Sequence, residues 1–212
     1  MIDFFVRQIP KKETDIWFLK KHYAHRLPII SYAFGLYSIT KELTGVCSFG
    51  GQANYMEAQK WKPYRIMELN RLCVNDNLPK NTLSFFVGQC FKLLPKPLVL
   101  ISYADLGVGH HGYIYQATNW IYTGIGGEGH KSFIFQDGKE RHERGVSKMD
   151  KSLILKTIKT TPKARYYIFL GNKKEVKDMK RKLRFPILPY PKGDNKRYDS
   201  SANLGDIQQI LF

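Results

Sequence analysis

The chain has 212 residues, 43% of them hydrophobic and 14% aromatic, a composition that supports a sizeable core and excludes a disordered polymer. It carries 34 Lys and Arg against 18 Asp and Glu, a formal charge of +16. Residues 151–197 hold 15 of the cations and 3 of the acids, which leaves only +4 for the rest of the chain; so concentrated a surplus is the footprint of a polyanion.

The best apolar run, Pro97–Ala104, falls far short of the roughly 20 residues a membrane span needs, and Met1–Pro10 has no signal-peptide layout. Cys47, Cys73 and Cys90 are odd in number and widely spaced, which argues against a disulfide framework and a Cys-x-x-Cys zinc site. These features predict a cytoplasmic protein with no membrane partner.

Thr14 and Asp15 are placed to cap a helix through Trp17, Leu19 and Tyr23 to about His25, stopped by Pro28. Ile29–Ile39 and Leu43–Phe49 read as a hairpin turning at Thr40-Lys41-Glu42. After a polar loop, Gly50–Pro63, comes a strand over Tyr64–Val74. Met67 and Leu69 share one parity and Leu72 and Val74 the other, so the phase slips at Asn70-Arg71, as a β-bulge would produce.

Asn75–Asn81 leads into a helix from about Thr82 to Leu94. Leu98–Tyr103 is a buried parallel-type strand ending at Ala104-Asp105. A second helix is expected over His111–Thr123 with Gly124 as its stop, then a glycine loop, a strand over Lys131–Gln136 and a last strand over Arg165–Leu170. Lys173–Arg184 forms an amphipathic basic helix with Val176, Met179 and Leu183 on its apolar stripe. A Pro-rich, mobile tail is expected after Phe185. The strand–helix–strand–helix middle predicts an α/β fold with a mixed sheet.

Several residues could carry chemistry. The junction from Val74 through Lys80 and Thr82 to Ser84 runs from a strand into a helix start, which suits an anionic cofactor, or equally an ordinary capped helix. Asp105, at the tip of a buried strand, could orient and deprotonate the amine of a flipped base, with Tyr103 stacking on it, or could simply cap a turn before Gly107. Arg71, held by Glu68 or Asp105, could clamp a donor or form a structural salt bridge. Tyr115, Asn119 and Tyr122 recur at helical spacing and could present a phenol as acid, or could be packing. His22 and His25, with Asp105 and His110, could make a nitrogen/oxygen metal site. No Gly-x-Gly-x-x-Gly, P-loop, Gly-x-Ser-x-Gly or His-Glu-x-x-His motif is present.

The stretches Lys21-His22-Tyr23, Glu68-Leu69-Asn70-Arg71-Leu72-Cys73-Val74, Ser102-Tyr103-Ala104-Asp105 and Gly112–Gly124 resemble the Mom proteins of Mu-like phages over roughly residues 15–170. That resemblance implies a GNAT-like acyltransferase fold with a bulged, splayed central sheet over 1–172, to which the chain's own charge and proline pattern adds a basic helix and irregular tail over 173–212. It implies conversion of adenine in double-stranded DNA to N6-carbamoylmethyladenine, protecting bacteriophage DNA from restriction. On this reading His22, Tyr23, Arg71, Asp105 and Tyr115 line the active site, and Val74, Lys80, Thr82, Ser84 and Asn119 face the cofactor. The small-molecule donor is acyl-coenzyme A or another glycine-like compound; the loop Pro79–Ser84 lacks the glycines of the usual acetyltransferase phosphate loop. Iron comes with the resemblance, on His22 and Asp105. Lys173, Lys174, Lys177, Lys180, Arg181, Lys182 and Arg184 grip DNA, aided by Lys192, Lys196 and Arg197. The oligomeric state stays open, a homodimer included. Two alternatives stand beside this reading: an acetyltransferase acting on a protein or small amine, and a non-catalytic DNA-binding module.

Overall fold

The structure is a computed structural model and describes residues 4–51, 55–126, 131–142, 146, 149–159 and 161–193. Its main sheet has seven strands: β1 Phe4–Gln8, β2 Tyr32–Ser38, β3 Leu43–Gly51, β4 Arg65–Val74, β5 Leu98–Asp105, β6 Ile121–Gly126 and, late in the chain, β10 Lys163–Leu170. Their spatial order is β1-β2-β3-β4-β5-β10-β6. Among the described residues only β4 and β5 pair in parallel. A second sheet, β8-β7-β9, is built from β7 Lys131–Phe135, β8 Glu140–His142 and β9 Ile154–Lys159.

The β4–β5 ladder runs from Arg65↔Leu98 to Glu68↔Ile101 and stops there. Beyond it β4 stays with β3 as far as Val74↔Gly45, and β5 stays with β10 as far as Asp105↔Lys163, so the sheet splits down its middle. The predicted bulge lies at the split. Ser48 pairs with Arg71 and Phe49 with Leu69, leaving Asn70 as the extra residue. The mixed, bulged and splayed α/β sheet is therefore as expected.

Both faces of the sheet are covered. One carries α2 Thr82–Leu93 and the short α3 Tyr113–Ala117, packed on Met67, Leu69, Leu98 and Leu100. On the other, α4 Lys173–Lys182 and Trp61, which follows α1 Tyr55–Lys60, cover Val99, Ile101 and Tyr167, while Trp17 and Phe18 cover Val46 and Cys73. The alternation along β5 explains its continuous apolar run: both faces of this strand are buried.

Several expectations are corrected. The first helix is a 3-10 turn over Lys11–Thr14 and a π-helical turn over Trp17–Lys21, and Thr14 Oγ1 turns back onto Lys11 O (2.7 Å) instead of capping. The helix expected over 111–123 ends at Ala117. Asn119 reverses the chain with φ 60°, and the β-branched and aromatic run Trp120–Thr123 enters β6. Gly124 is not a helix stop; at φ +92° it lies in β6 beside a register shift, where a bulge requires this backbone. The polar loop 50–63 contains α1, and β1, β8 and β9 were not foreseen. Residues 185–193 are irregular but anchored: Leu188 N donates to Tyr122 O (3.0 Å) and Tyr190 OH to Trp120 O (2.6 Å). Lys196 and Arg197 lie outside the described residues. Cys47, Cys73 and Cys90 are buried and in no disulfide, and among the described residues no helix is long and apolar enough to cross a membrane.

Candidate active site

A cavity of about 310 Å³ fills the split between β4 and β5. That is within the ordinary range for small-ligand sites, ~300–1,000 Å³. Its wall on the α2 side includes Leu72, Val74, Leu83, Ala104 and Tyr115. The opposite wall is polar, with Lys21, His22, Tyr23, Glu68, Arg71 and Lys163.

The bulge decides what the polar wall contains. Gly50 pairs with Glu68 and Ser48 with Arg71, and residues 48 and 50 share a face of β3. Glu68 and Arg71 therefore share a face although they lie three apart in sequence. Neither finds an ionic partner among the described residues. Arg71 Nη1 donates to Asn70 O (2.6 Å), and its buried Nε has no partner. The expected ion pairs of Arg71 with Glu68 or Asp105 do not form. Burial pushes the Glu68 carboxyl up to about 6, against the opposing pull of Arg71 and Lys163. Burial, and then Arg26, lowers the Arg71 pKa.

The π-helical turn ends at His22, whose extended backbone delivers His22 and Tyr23 to the cavity. Their rings stack at 4.4 Å, and His110 meets Tyr23 edge-on at 5.4 Å. His22 is pushed down to about 3, by burial first and by Arg71 second, so its ring is neutral. Its Nδ1 accepts from Ala24 N (3.1 Å), which puts the ring proton on Nε2. Tyr23 is pushed up, by burial first and by Asp105 second.

Asp105 follows the lining residue Ala104 but is not itself in the lining of the cavity. Its Oδ1 accepts from Gly107 N (3.0 Å) and from Thr161 Oγ1, and Lys163 Nζ lies 3.6 Å from Oδ2. This is the turn-capping arrangement, tied to the segment before β10. Tyr115 lies on the α2 side. Ser102 Oγ is 2.8 Å from Leu69 O and 2.7 Å from Tyr115 OH. A carbonyl only accepts, so the single Ser102 proton goes to Leu69 and the phenol proton goes to Ser102. Burial raises the Tyr115 pKa strongly.

The cofactor-side residues divide. Val74 lines the cavity, and Lys80 is exposed at the loop before α2. Ser84 Oγ donates to Asn81 O (3.0 Å). The N-cap residue Asn81 (φ 68°) makes no side-chain cap, so the start of α2 keeps the anion-binding character of an uncapped helix end. Thr82 is buried with an unpartnered hydroxyl, and Asn119 is exposed on its turn; neither side chain lines the cavity. The residues do not fit iron. The His22 proton sits on Nε2 while Nδ1 is occupied, Asp105 is committed to its turn, and no three His, Cys, Asp or Glu among the described residues form a metal-binding group.

The sequence profile of the Mom protein family matches residues 3–192. The chain belongs to the Mom protein family. It is 29% identical to the methylcarbamoylase Mom of Escherichia phage Mu over 192 residues, 81% of this chain and 77% of that protein. Among solved structures it is similar to a ribosomal-protein-S5-alanine acetyltransferase from Vibrio fischeri at 10% identity, covering 81% of this chain and 96% of that one, with a TM-score of 0.49. It is also similar to a putative acetyltransferase from Acinetobacter baylyi at 10% identity, covering 81% and 94%, with a TM-score of 0.48.

In this Mom chain the basic helix α4 packs through buried Met179 on Val99, Ile101 and Tyr167, the sheet face that also carries Glu68 and Arg71. Lys173, Lys174, Lys177, Lys180, Arg181 and Arg184 are exposed. Lys182 instead donates to Lys62 O (3.0 Å), and Arg181 pairs with Asp178 (2.8 Å). The sequence alone offers Glu68 only as a possible partner for Arg71. Its parity relative to the bulge was the available signal, and following the slip to its end puts both residues on one wall.

Proposed function

We propose that this chain is a phage enzyme converting adenine in double-stranded DNA to N6-carbamoylmethyladenine, with Glu68 and Arg71 at the reacting centre. The observation that carries this reading is the pair itself: a carboxylate and a guanidinium on one cavity wall, both partly withdrawn from water, with no ion pair between them. A half-buried arginine without a carboxylate is suited to an oxygen of a bound ligand.

The adenine N6 amine is a weak nucleophile, because its lone pair is delocalised into the ring. The reaction forms an N6–CH2 bond, releases the donor's leaving group with its bonding electrons, and removes one N6 proton. Glu68 takes that proton; a carboxyl held near 6 is ionised at neutral pH and a better acceptor than an ordinary glutamate. Arg71 holds the carbonyl oxygen of the incoming carbamoylmethyl group. The His22–Tyr23 stack supplies an aromatic surface for the base, and Asp105, through its field on Tyr23 and His110, is a positioning residue.

The donor is a glycine-like molecule that carries its leaving group on the CH2 carbon, with or without a larger carrier; acyl transfer from a coenzyme A thioester would instead form an N6–C(=O) bond. A small donor is accommodated by the cavity, and the phosphates of a larger one would lie at the uncapped start of α2 with Lys80 beside it. DNA approaches the face bearing α4, whose cations contact phosphate without reading sequence.

The test is to express the chain in a bacterium, digest the DNA to nucleosides and look by mass spectrometry for the adenine adduct. The wild type is expected to yield it, and Glu68→Gln and Arg71→Met to lack it. The adduct persisting in both variants would remove this centre.

A further inference from the structure

Beside the cavity runs a segment that the chemistry above does not use. Directly after the His22–Tyr23 wall, His25 takes a left-handed backbone (φ 43°), and Arg26, Leu27 and Ile29 are exposed. Ile29 is 83% exposed and Leu27 47%. A lone surface aliphatic needs no explanation; this pair is set apart by where and how it is held.

The backbone is fixed on both sides. His25 Nδ1 lies 3.0 Å from Leu19 O, and Ser31 N donates to Phe49 O at 2.8 Å. Asn70 Nδ2 donates to Ile29 O at 2.9 Å. Asn70 is the bulge residue between Glu68 and Arg71 and itself lines the cavity. Ile29 is thus one hydrogen bond from the cavity wall. Gly50 makes the approach feasible, because a Cβ there would fall 1.9 Å from Ile29 O. Arg26, close enough for its charge to act on His22, Tyr23 and Arg71, gives the same rim a phosphate-binding cation.

Taking a base out of a duplex costs a few kcal/mol of stacking and pairing. Proteins that open the stack insert Leu, Ile or Phe into the space. We propose that Ile29, with Leu27 beside it, enters the DNA base stack and fills the place the target adenine vacates. The proposal rests on the adenine-modification reading of the neighbouring cavity.

The test uses the purified full chain and two oligonucleotide duplexes, one intact and one lacking a single adenine base opposite thymine. The gapped duplex has already lost the stacking that a wedge must displace. Wild-type protein is expected to bind it about tenfold more tightly than the intact duplex. Leu27→Ala/Ile29→Ala should abolish that preference, leave intact-duplex affinity nearly unchanged and lower the adenine adduct in cells, while Ile29→Phe keeps the preference. Both side chains are exposed, so the double variant is expected to fold, which circular dichroism checks. An unaltered gap preference in the double variant overturns the wedge alone. A wild-type chain that leaves no adenine adduct in cells overturns the functional reading beneath it.

Discussion

Glu68 and Arg71 face the same side of the sheet because Asn70 is an unpaired extra residue between them. In a regular strand, residues three apart point to opposite faces. The bulge thus sets a carboxylate and a guanidinium on one wall at the point where β4 and β5 part.

Glu68→Gln separates chemistry from folding. Loss of a general base typically costs 10²–10⁴-fold in rate, so the adduct level should fall by at least about 100-fold. Stability should move the other way. Below about pH 4.5 the carboxyl is protonated in both states and carries no penalty. As pH rises the unfolded chain ionises first and the folded chain only near 6. Stability is lost across that window, on the order of 1–2 kcal/mol. Urea melts should show Glu68→Gln more stable than wild type at pH 7 and level with it at pH 4. A variant that is less stable at pH 7 would mean the carboxylate has a structural role.

Arg71→Lys tests whether a fork or only a charge is needed. Lysine keeps the positive charge but not the planar pair of donors. The adduct level should fall by about tenfold or more, as expected for one lost charge-assisted hydrogen bond of ~1.5–3 kcal/mol. Lysine performing as well as arginine would show that Arg71 supplies field alone.

The inner strands of the main sheet were legible because their signals are local. The phase slip at Asn70-Arg71 gave the bulge, and the unbroken apolar run Leu98–Ile101 gave a strand buried on both faces. The stretch 111–124 misled because tyrosines and asparagine at helical spacing compete with a β-branched run. Pairing with β10 settles that competition, and no local pattern contains β10. Asp105 drew attention by its place at a strand tip, yet Thr161 and Lys163, 56 and 58 residues on, claim its side chain. Glu68 became prominent only once two strands of different register were laid side by side.

His22 makes a prediction about acid. Above pH 6.5 the imidazole is neutral in both states. As pH falls the unfolded chain takes up the proton first, while the folded chain resists until about 3. Stability is therefore lost between those values, at up to ~1.4 kcal/mol per pH unit. His22→Asn should flatten this slope relative to wild type, as followed by urea melts at pH 7, 6 and 5. Parallel slopes for the two proteins would show that His22 is not buried in the neutral form.

The basic helix makes a prediction about salt. Each phosphate contact releases counterions, so log affinity falls with log salt at a slope of about 0.9 per contact. Lys173, Lys177 and Lys180 are exposed and line one groove along α4, whereas Lys182 is occupied by Lys62 O. Converting those three to Gln should weaken DNA binding and reduce the slope by roughly 2 to 3. Lys182→Gln should change the slope little and loosen the packing of α4 instead, lowering the melting temperature. Met179 anchors the helix in the core while the three lysines are exposed, so the triple variant should melt close to where the wild type does. A slope that stays at its wild-type value in the triple variant would move the DNA footprint off α4 to another part of the basic surface.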